Sequence, residues 1–569
     1  MENLLKSPLF WQLTTLFPGT GFISVKDKSM LTRIPLDNLP NVDSNHLKIN
    51  NKDFLKFVNQ KGFNSGLYVH YPFCNRICKF CMFGGIHRKE CDDIINFNRD
   101  FGKLCKKEFL LQVNALFSLY KRNKRGPLSI NLLRILHPNL SKDGFLELFR
   151  PRLVHLGGGT PNLLGITGIR KLLQGFKALY GNDFFKKTYF EVELSPEDEN
   201  VEDLTEYLKD NGCDRISLGI QTLNELSGKY LRGRKNTKKV WKLLRFLKDR
   251  APIPLVHMDL LYGLPTLPIS ESLKDIQMLI GFLKDSEKVR FSFDIGRYIV
   301  SPRNYRMGNF DFLDNHAGIW ETFYMLNTAI RMAKNANFFV RNGDFDYKVR
   351  IFSKKLKADD ISTPATYEYY YCMPTLYGAL IGVGPKAKSL IGTSSLITPL
   401  WYGNWDWQGW YKVLKGRKNE KEFLYSVYNP PSSKELNSFA TNLLLLHHII
   451  IRFLYYNNSV PYPITNMLPN RENKFILKIL NILSNNGFFR KTKEGFSLPL
   501  GYNFLIPLIS LLFVPYYYLK GKKVDFGFIE LTLNDFENFH IGDKITKEST
   551  EIKVAIAYGL QREILKENK

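Results

Sequence analysis

Cysteine is scarce in this chain: seven residues in 569, and an odd number. That excludes a disulfide scaffold and points to a reducing, cytoplasmic setting where thiols stay free for metals. Acidic residues lag behind basic ones, 54 against 80, for a net charge of +26. The basic runs, such as "KRNKR" 121–125 and "KGKK" 520–523, are dispersed and no nucleic-acid motif accompanies them. They read as solvated lysine, and nucleic acid is not taken as a partner. The N-terminal segment lacks a basic region leading into a clean apolar run, so no secretory signal is expected. Long uncharged runs are also rare. The exception, residues 498–519, carries three prolines and a Gly-Tyr-Asn break. It reads as buried helix plus loop, with an interfacial surface giving peripheral membrane contact as the alternative. No internal repeat is found.

What is present is alternation. "LYVHYPF" 67–73, "RLVHLGGG" 152–159, "TYFEVELSP" 188–196, "RISLGIQ" 215–221, "LVHMDLLYGLP" 255–265 and "KVRFSFDIG" 288–296 read as strands ending in loops. Amphipathic stretches such as 201–212 and 237–250 lie between them. Strands alternating with helices predict an α/β fold, a partial parallel (β/α) barrel whose chemistry gathers at the strand carboxyl ends. The organisation expected is an N-terminal extension at 1–66 and a core at 67–300 with a basic insertion about 112–150. An α+β accessory region at 301–430 and a mostly helical 431–569 follow, with a helix-plus-hairpin, winged-helix-like unit near 474–498.

The densest chemistry is "YVHYPFCNRICKFCMF" 68–83, which spaces three thiols as Cys74-x3-Cys78-x2-Cys81. A structural zinc site would need a fourth ligand, for which Cys91, His87 and His70 are candidates. A disulfide would leave one thiol over. A four-iron cluster suits closely spaced thiolates and, with three of them, keeps one iron open to an outside chelator.

The triplet resembles the signature of radical S-adenosylmethionine (SAM) enzymes. Its flanks resemble the branch containing oxygen-independent coproporphyrinogen III oxidase, the heme chaperones and the class C methyltransferases. "HLGGGTP" 155–161, "EVELSP" 191–196, "RISLGIQTLN" 215–224, "RGR" 232–234 and "MDLLYGLP" 258–265 follow in the same order, and "LIGVGPKAKS" 380–389 more weakly. The resemblance implies a [4Fe-4S] cluster on Cys74, Cys78 and Cys81, and SAM, in some relatives two molecules. It implies that Gly157, Gly158, Gly159 and Thr160 approach the methionine moiety. Glu193 and Gln221 would contact SAM, with Glu191 sharing the parity of Glu193. Arg234 would pair with the SAM carboxylate, with Arg232 as rival, and Asp259 would accept from ribose hydroxyls. Tyr68 would sit beside the cluster toward the substrate and take part in catalysis, and Phe80 would shield cluster and adenine. An electron donor such as a flavodoxin or ferredoxin is implied as partner.

Two departures narrow the expectation. Coproporphyrinogen oxidases carry a cysteine where this chain has Phe83, and the histidine segment of the heme chaperones has no counterpart in 367–389, leaving tyrosines and Cys372 as conceivable axial ligands. An aromatic, quinone-like or tetrapyrrole substrate in a pocket lined by Tyr and Trp is expected, with methyl transfer ahead of tetrapyrrole oxidation, and a heme carrier as the non-enzymatic alternative.

Overall fold

The computed structural model describes residues 52–297, 319–342, 349–353, 377–397, 407–416, 426–427, 450, 454 and 459–500, with short internal breaks. The sheet positions everything that follows. In chain order its strands are β1 (Asn64–Tyr71), β4 (Leu153–Gly158), β5 (Tyr189–Leu194), β6 (Arg215–Gln221), β7 (Leu255–Tyr262) and β8 (Arg290–Arg297). These six run parallel, each beside the next. β11 (Gly378–Val383) adds a seventh parallel strand on the free side of β1. Antiparallel strands finish both edges: β10 (Val349–Phe352) and β9 (Phe339–Asn342) beyond β8, and β12 (Ser389–Ile391), β13 (Ser394–Ile397) and β14 (Ser426–Val427) beyond β11. The result is an open, partial barrel of α/β type, as the alternation predicts.

The parallel strands are covered by helices, so their residues read as continuous apolar runs. β4 is buried at every position. Helix Gly165–Tyr180 shows the outer layer's logic: Ile169, Leu172, Leu173, Phe176 and Tyr180 recur at helical spacing and face the core. Each such side chain contributes about 1.5–3 kcal/mol of burial. This helix packs against helix Ile94–Lys121 so closely that a Cβ on Gly102 would lie 2.5 Å from the Leu172 backbone.

Three features differ from expectation. β1 starts at Asn64 rather than Leu67, inside the segment assigned to the N-terminal extension, because Asn64, Ser65 and Gly66 pair with Gly378, Ala379 and Leu380. Helix Ile94–Lys121 runs through residue 112 without a break, so the start of the proposed insertion is a continuous helix. The described aromatics of 407–411 pack into the core. Trp410 is buried against Phe97 and Phe101, Trp407 packs on Phe73 and Phe97, and Tyr411 hydrogen-bonds Asp100. They extend the core around helix Ile94–Lys121, where burying ring area outweighs keeping it for a ligand.

Helix Asn470–Asn485 leads into the antiparallel pair β16 (Arg490–Lys491) and β17 (Gly495–Ser497), with β15 (Ser459–Pro461) on the far side of β17. That is the helix and hairpin predicted at 474–498. Residues 501–519 of the apolar run lie outside the described residues. Among the described residues no helix is long and apolar enough to cross a membrane.

Candidate active site at the strand carboxyl ends

β1 ends at Tyr71, and the chain turns through Pro72 into the short strand β2 (Phe73–Cys74), which pairs with β3 (Ile86–His87). The cysteine loop is thus the connection leaving the carboxyl end of a barrel strand. It is tied down on two sides. The Lys79 N–H donates to the Leu231 carbonyl at 2.9 Å, and the Cys81 N–H closes a turn on Cys78 at 3.2 Å. Gly85 passes so near the Cys74 sulfur that a Cβ there would be 2.5 Å away. Phe80 lies under the Arg232 guanidinium, 5.6 Å from its ring centre. Phe83 and Met82 fall outside the described residues.

Cys74, Cys78 and Cys81 are free thiols. Burial pushes the Cys74 thiol up to about 12, the Thr160 hydroxyl opposes the rise, and Cys81 and Cys78 add to it. Burial likewise raises Cys78, with Arg232 pulling the other way. Cys74 and Cys78, which resist ionisation on their own, fit ligands of a metal cluster, whose positive charge supplies what the protein withholds. The alternative zinc ligands each have a partner outside the triplet, although His70 Nε2 makes no hydrogen bond. His87 caps the turn at Arg88–Glu90, accepting from Lys89, His70 Nδ1 pairs with the Tyr68 hydroxyl at 2.8 Å, and the Cys91 thiol interacts with Asp93.

Beside this loop the Gly-rich end of β4 passes under β1. The Gly159 N–H donates to the Tyr71 carbonyl at 2.6 Å and the Thr160 N–H to the Phe73 carbonyl at 2.8 Å, so the glycine turn and the cysteine loop are stitched together. Gly158 takes φ 104, a conformation open to glycine, and a Cβ there would meet His70 at 2.8 Å. A Cβ on Gly157 would lie 2.7 Å from Glu193 Oε2. At all three positions, Gly159 included, a Cβ would collide with the protein's own atoms, so the turn admits no side chain.

Strand register sorts the inward residues into rows. Tyr68, His155, Glu191 and Arg215 are Cα neighbours across β1, β4, β5 and β6. His70, Gly157, Glu193, Ser217, His257 and Ser292 belong to the next row outward in parity and register. The register separates Glu191 from Glu193. Glu191 is sealed in, held by Arg215 Nη1 at 3.0 Å and by His155 Nδ1. Glu193 stands at the strand end with its side chain 39% exposed; Oε1 faces His155 Nε2 at 3.1 Å and Oε2 accepts from the Gly158 N–H at 3.2 Å. Of the two carboxylates, Glu193 is the one a ligand can reach.

Gln221 closes β6 in a left-handed conformation, φ 70, where the pairing with β7 shifts register. Thr222 and the Leu223 N–H then lock onto the Asp275 carboxylate. Strain of this kind persists where the surroundings over-determine it, commonly at binding sites. Arg232 donates to the Gly219 carbonyl at 2.6 Å and lies 3.6 Å from Glu197, which brings it to the same strand end as Gln221. Arg234 lies outside the described residues. Asp259, half exposed on β7, accepts from Ser217 Oγ at 3.4 Å and lies 3.7 Å from His257 Nε2. Behind it Asp294 is gripped by the fully buried Arg350 at 2.6 Å on each oxygen. His257, Asp259 and Asp294 bring donor atoms within 4.8 Å of one another. Arg350 already neutralises Asp294, so this group is a fixed charge network under Asp259.

The last piece comes from β11. The turn after it holds Lys386 at φ 72, and its charge reaches both Cys74 and His70. Burial, with help from Lys386 and His155, holds His70 down to about 3, so its ring is neutral. Sequence reasoning named His70 only as a zinc ligand and passed over His155 and Lys386. The signal for His155 was its position two residues before the glycines, at the parity of Tyr68 across the sheet.

Residues 68–279 match the family model described as the Radical SAM superfamily. That segment is a radical SAM-like domain, a kind that works with a [4Fe-4S] cluster and SAM, and the chain is similar to proteins of the oxygen-independent coproporphyrinogen III oxidase-like kind. The heme chaperone HemW of Buchnera aphidicola is 27% identical over 214 residues, 38% of this chain and 46% of the relative. Oxygen-independent coproporphyrinogen III oxidase of Salmonella typhimurium is 26% identical over 200 residues, 35% of each chain. The chain thus spans less than half the length of these curated relatives. The solved structure of coproporphyrinogen III oxidase HemN from Escherichia coli superposes with a TM-score of 0.51 at 16% identity, covering 81% of this chain and 93% of that one. That likeness establishes the fold.

Proposed function

We propose that the protein is a radical SAM enzyme acting on an aromatic, quinone-like or tetrapyrrole substrate, with methyl transfer as its outcome. The observation that carries this reading is the convergence of the cysteine loop, the glycine turn, Glu193, Gln221 and Asp259 at the carboxyl ends of adjoining parallel strands. Cys74, Cys78 and Cys81 would hold a four-iron cluster, which together with bound SAM would supply radical chemistry. The rest is done by the chain. Glu193 accepts from the ligand's ammonium group while Gly157, Gly158 and Gly159 let its main chain come close. Thr160 lies beside Cys74, and Gln221 offers both a donor and an acceptor. Arg232 or Arg234 faces the carboxylate, and Asp259 receives ribose hydroxyls. Phe80 screens the cluster side from water, and Tyr68 borders the substrate side. Electrons come from a flavodoxin- or ferredoxin-like donor, and the setting is cytoplasmic. Residues 501–519 would supply any membrane contact.

Methyl transfer is favoured over oxidative decarboxylation because Phe83 stands where the oxidases carry a further cysteine. Heme carriage competes because a relative at 27% identity is named a heme chaperone. Anaerobic incubation of reconstituted protein with SAM, reductant and an extract of candidate substrates separates these readings. 5′-Deoxyadenosine together with S-adenosylhomocysteine supports methyl transfer. 5′-Deoxyadenosine alone supports oxidation, and stoichiometric heme uptake with neither product sinks the enzyme reading.

A further inference from the structure

A line of alternating charge runs across the floor of the site: Arg215, Glu191, His155, Glu193. Arg215 Nη1 donates to Glu191 Oε2 at 3.0 Å, Glu191 Oε1 faces His155 Nδ1, and His155 Nε2 faces Glu193 Oε1 at 3.1 Å. Arg215 and Glu191 are buried, as is His155. An ionised carboxylate only accepts hydrogen bonds, so an imidazole held between two of them must donate from both nitrogens. A neutral ring would set one bare nitrogen against a carboxylate oxygen.

We infer that His155 is a permanent imidazolium that positions Glu193 for an ammonium-bearing ligand, and that Glu191 and Arg215 keep it in that form. The inference rests on the reading of Glu193 as a SAM contact and adds what orients it. Arg215 fixes the ionised state of Glu191. Glu191 in turn fixes the ring. The ring and the Gly158 N–H then take one lone pair on each Glu193 oxygen, leaving the remaining pairs directed to the open side, where Glu193 is exposed. The groups around the ring are consistent with this. Tyr68 lies 5.4 Å away, tilted, and His70 is neutral, so the two carboxylates dominate its surroundings. Burial disfavours the charge, but Glu191 and Glu193 outweigh it and raise His155 to about 10. His155 is a positioning residue: it touches Glu193, and Glu193 touches the ligand.

The test uses anaerobically reconstituted full-length protein and its SAM affinity as a function of pH, with iron content as a control. Wild type should show no pH dependence of SAM binding from about pH 6.5 to about pH 9 beyond the titration of the ligand's own amino group. Glu191→Gln should weaken binding about ten- to a hundredfold, the usual effect of losing an outer partner, and the loss should grow as pH rises. His155→Gln should show the loss at every pH. Wild-type protein labelled with 15N-histidine gives a readout that needs no binding and no stable Glu191 variant. The His155 ring, assigned by its absence in His155→Gln, should be doubly protonated to about pH 9. A ring neutral near pH 7 overturns the inference. So does SAM binding unchanged and pH-independent in Glu191→Gln, and in both cases the reading of the site survives. Iron-loaded wild type that binds no SAM refutes that reading, and the inference with it.

Discussion

Gly157→Ala is a sharp probe of the site because it adds one carbon where the geometry has no room. Gly157 lies outside the left-handed region, so alanine brings no backbone strain. Its Cβ would sit 2.6 Å from His155 Nε2, 2.7 Å from Glu193 Oε2 and 2.8 Å from Glu193 Cδ. The first of these is about 0.8 Å inside ordinary van der Waals contact, more than soft packing absorbs. Glu193 is the member freest to move, being partly exposed, and the His155 ring, held by Glu191 at Nδ1, must also swing its Nε2 edge away. Moving Glu193 breaks the bond from the Gly158 N–H, the bond to His155, or both. Hydrogen bonds to charged groups are worth about 1.5–3 kcal/mol each, so losing one weakens a ligand that depends on the carboxylate's placement about ten- to a hundredfold. The cysteine loop is not touched, and iron loading should remain at the wild-type level. The assay is calorimetric titration of the anaerobically reconstituted protein with SAM. Gly281→Ala is the control, because nothing lies within 4 Å of its Cβ. Gly157→Ala binding SAM within about threefold of wild type, with iron unchanged, would refute the placement of Glu193.

Arg350→Met leaves Asp294 as a buried charge without its guanidinium and should cost about 3–5 kcal/mol, whereas adding Asp294→Asn should recover most of it; chemical denaturation of the iron-free protein reads both. His155, ordinarily near 6.5 and raised to about 10 in the fold, contributes stability that is full below about pH 6.5 and is lost as pH rises toward 10. A falling thermal midpoint over that window, blunted in His155→Gln, is the expected result. Arg232→Ala should weaken SAM binding and also loosen the cysteine loop through Phe80 and Glu197, lowering iron content. Arg234→Ala should affect SAM binding alone, and equal iron loss in both variants would contradict the division.

Much of this was legible in sequence because it is local. The strands at 152–159, 188–196, 215–221 and 255–265 announce themselves as short apolar runs, and Gly212 follows helix Val201–Asp210 at φ 82 as a helix stop should. The cysteine spacing and the glycines are contiguous letters, and the structure brings them to one strand edge. What stayed hidden depends on register. His155, Glu191 and Arg215 are far apart in sequence and meet only because β4, β5 and β6 pair with those Cα atoms side by side. Arg350 finds Asp294 through an antiparallel pairing at the sheet edge that no periodicity reveals. Asn64, Ser65 and Gly66 have weak strand preference and are extended because β11 and β4 pair with them. Trp407 and Trp410 carry the same lesson. Their aromatic rings pack on Phe97 of helix Ile94–Lys121, a contact across the chain that no local pattern announces.

The central claim is that Cys74, Cys78 and Cys81 hold a cluster whose remaining iron takes SAM. Electron paramagnetic resonance of the reduced, anaerobically reconstituted protein tests it most directly. The account predicts a reduced four-iron signal that changes on adding SAM and is lost in Cys78→Ala together with the iron. A signal indifferent to SAM, or wild-type iron content in Cys78→Ala, would contradict it.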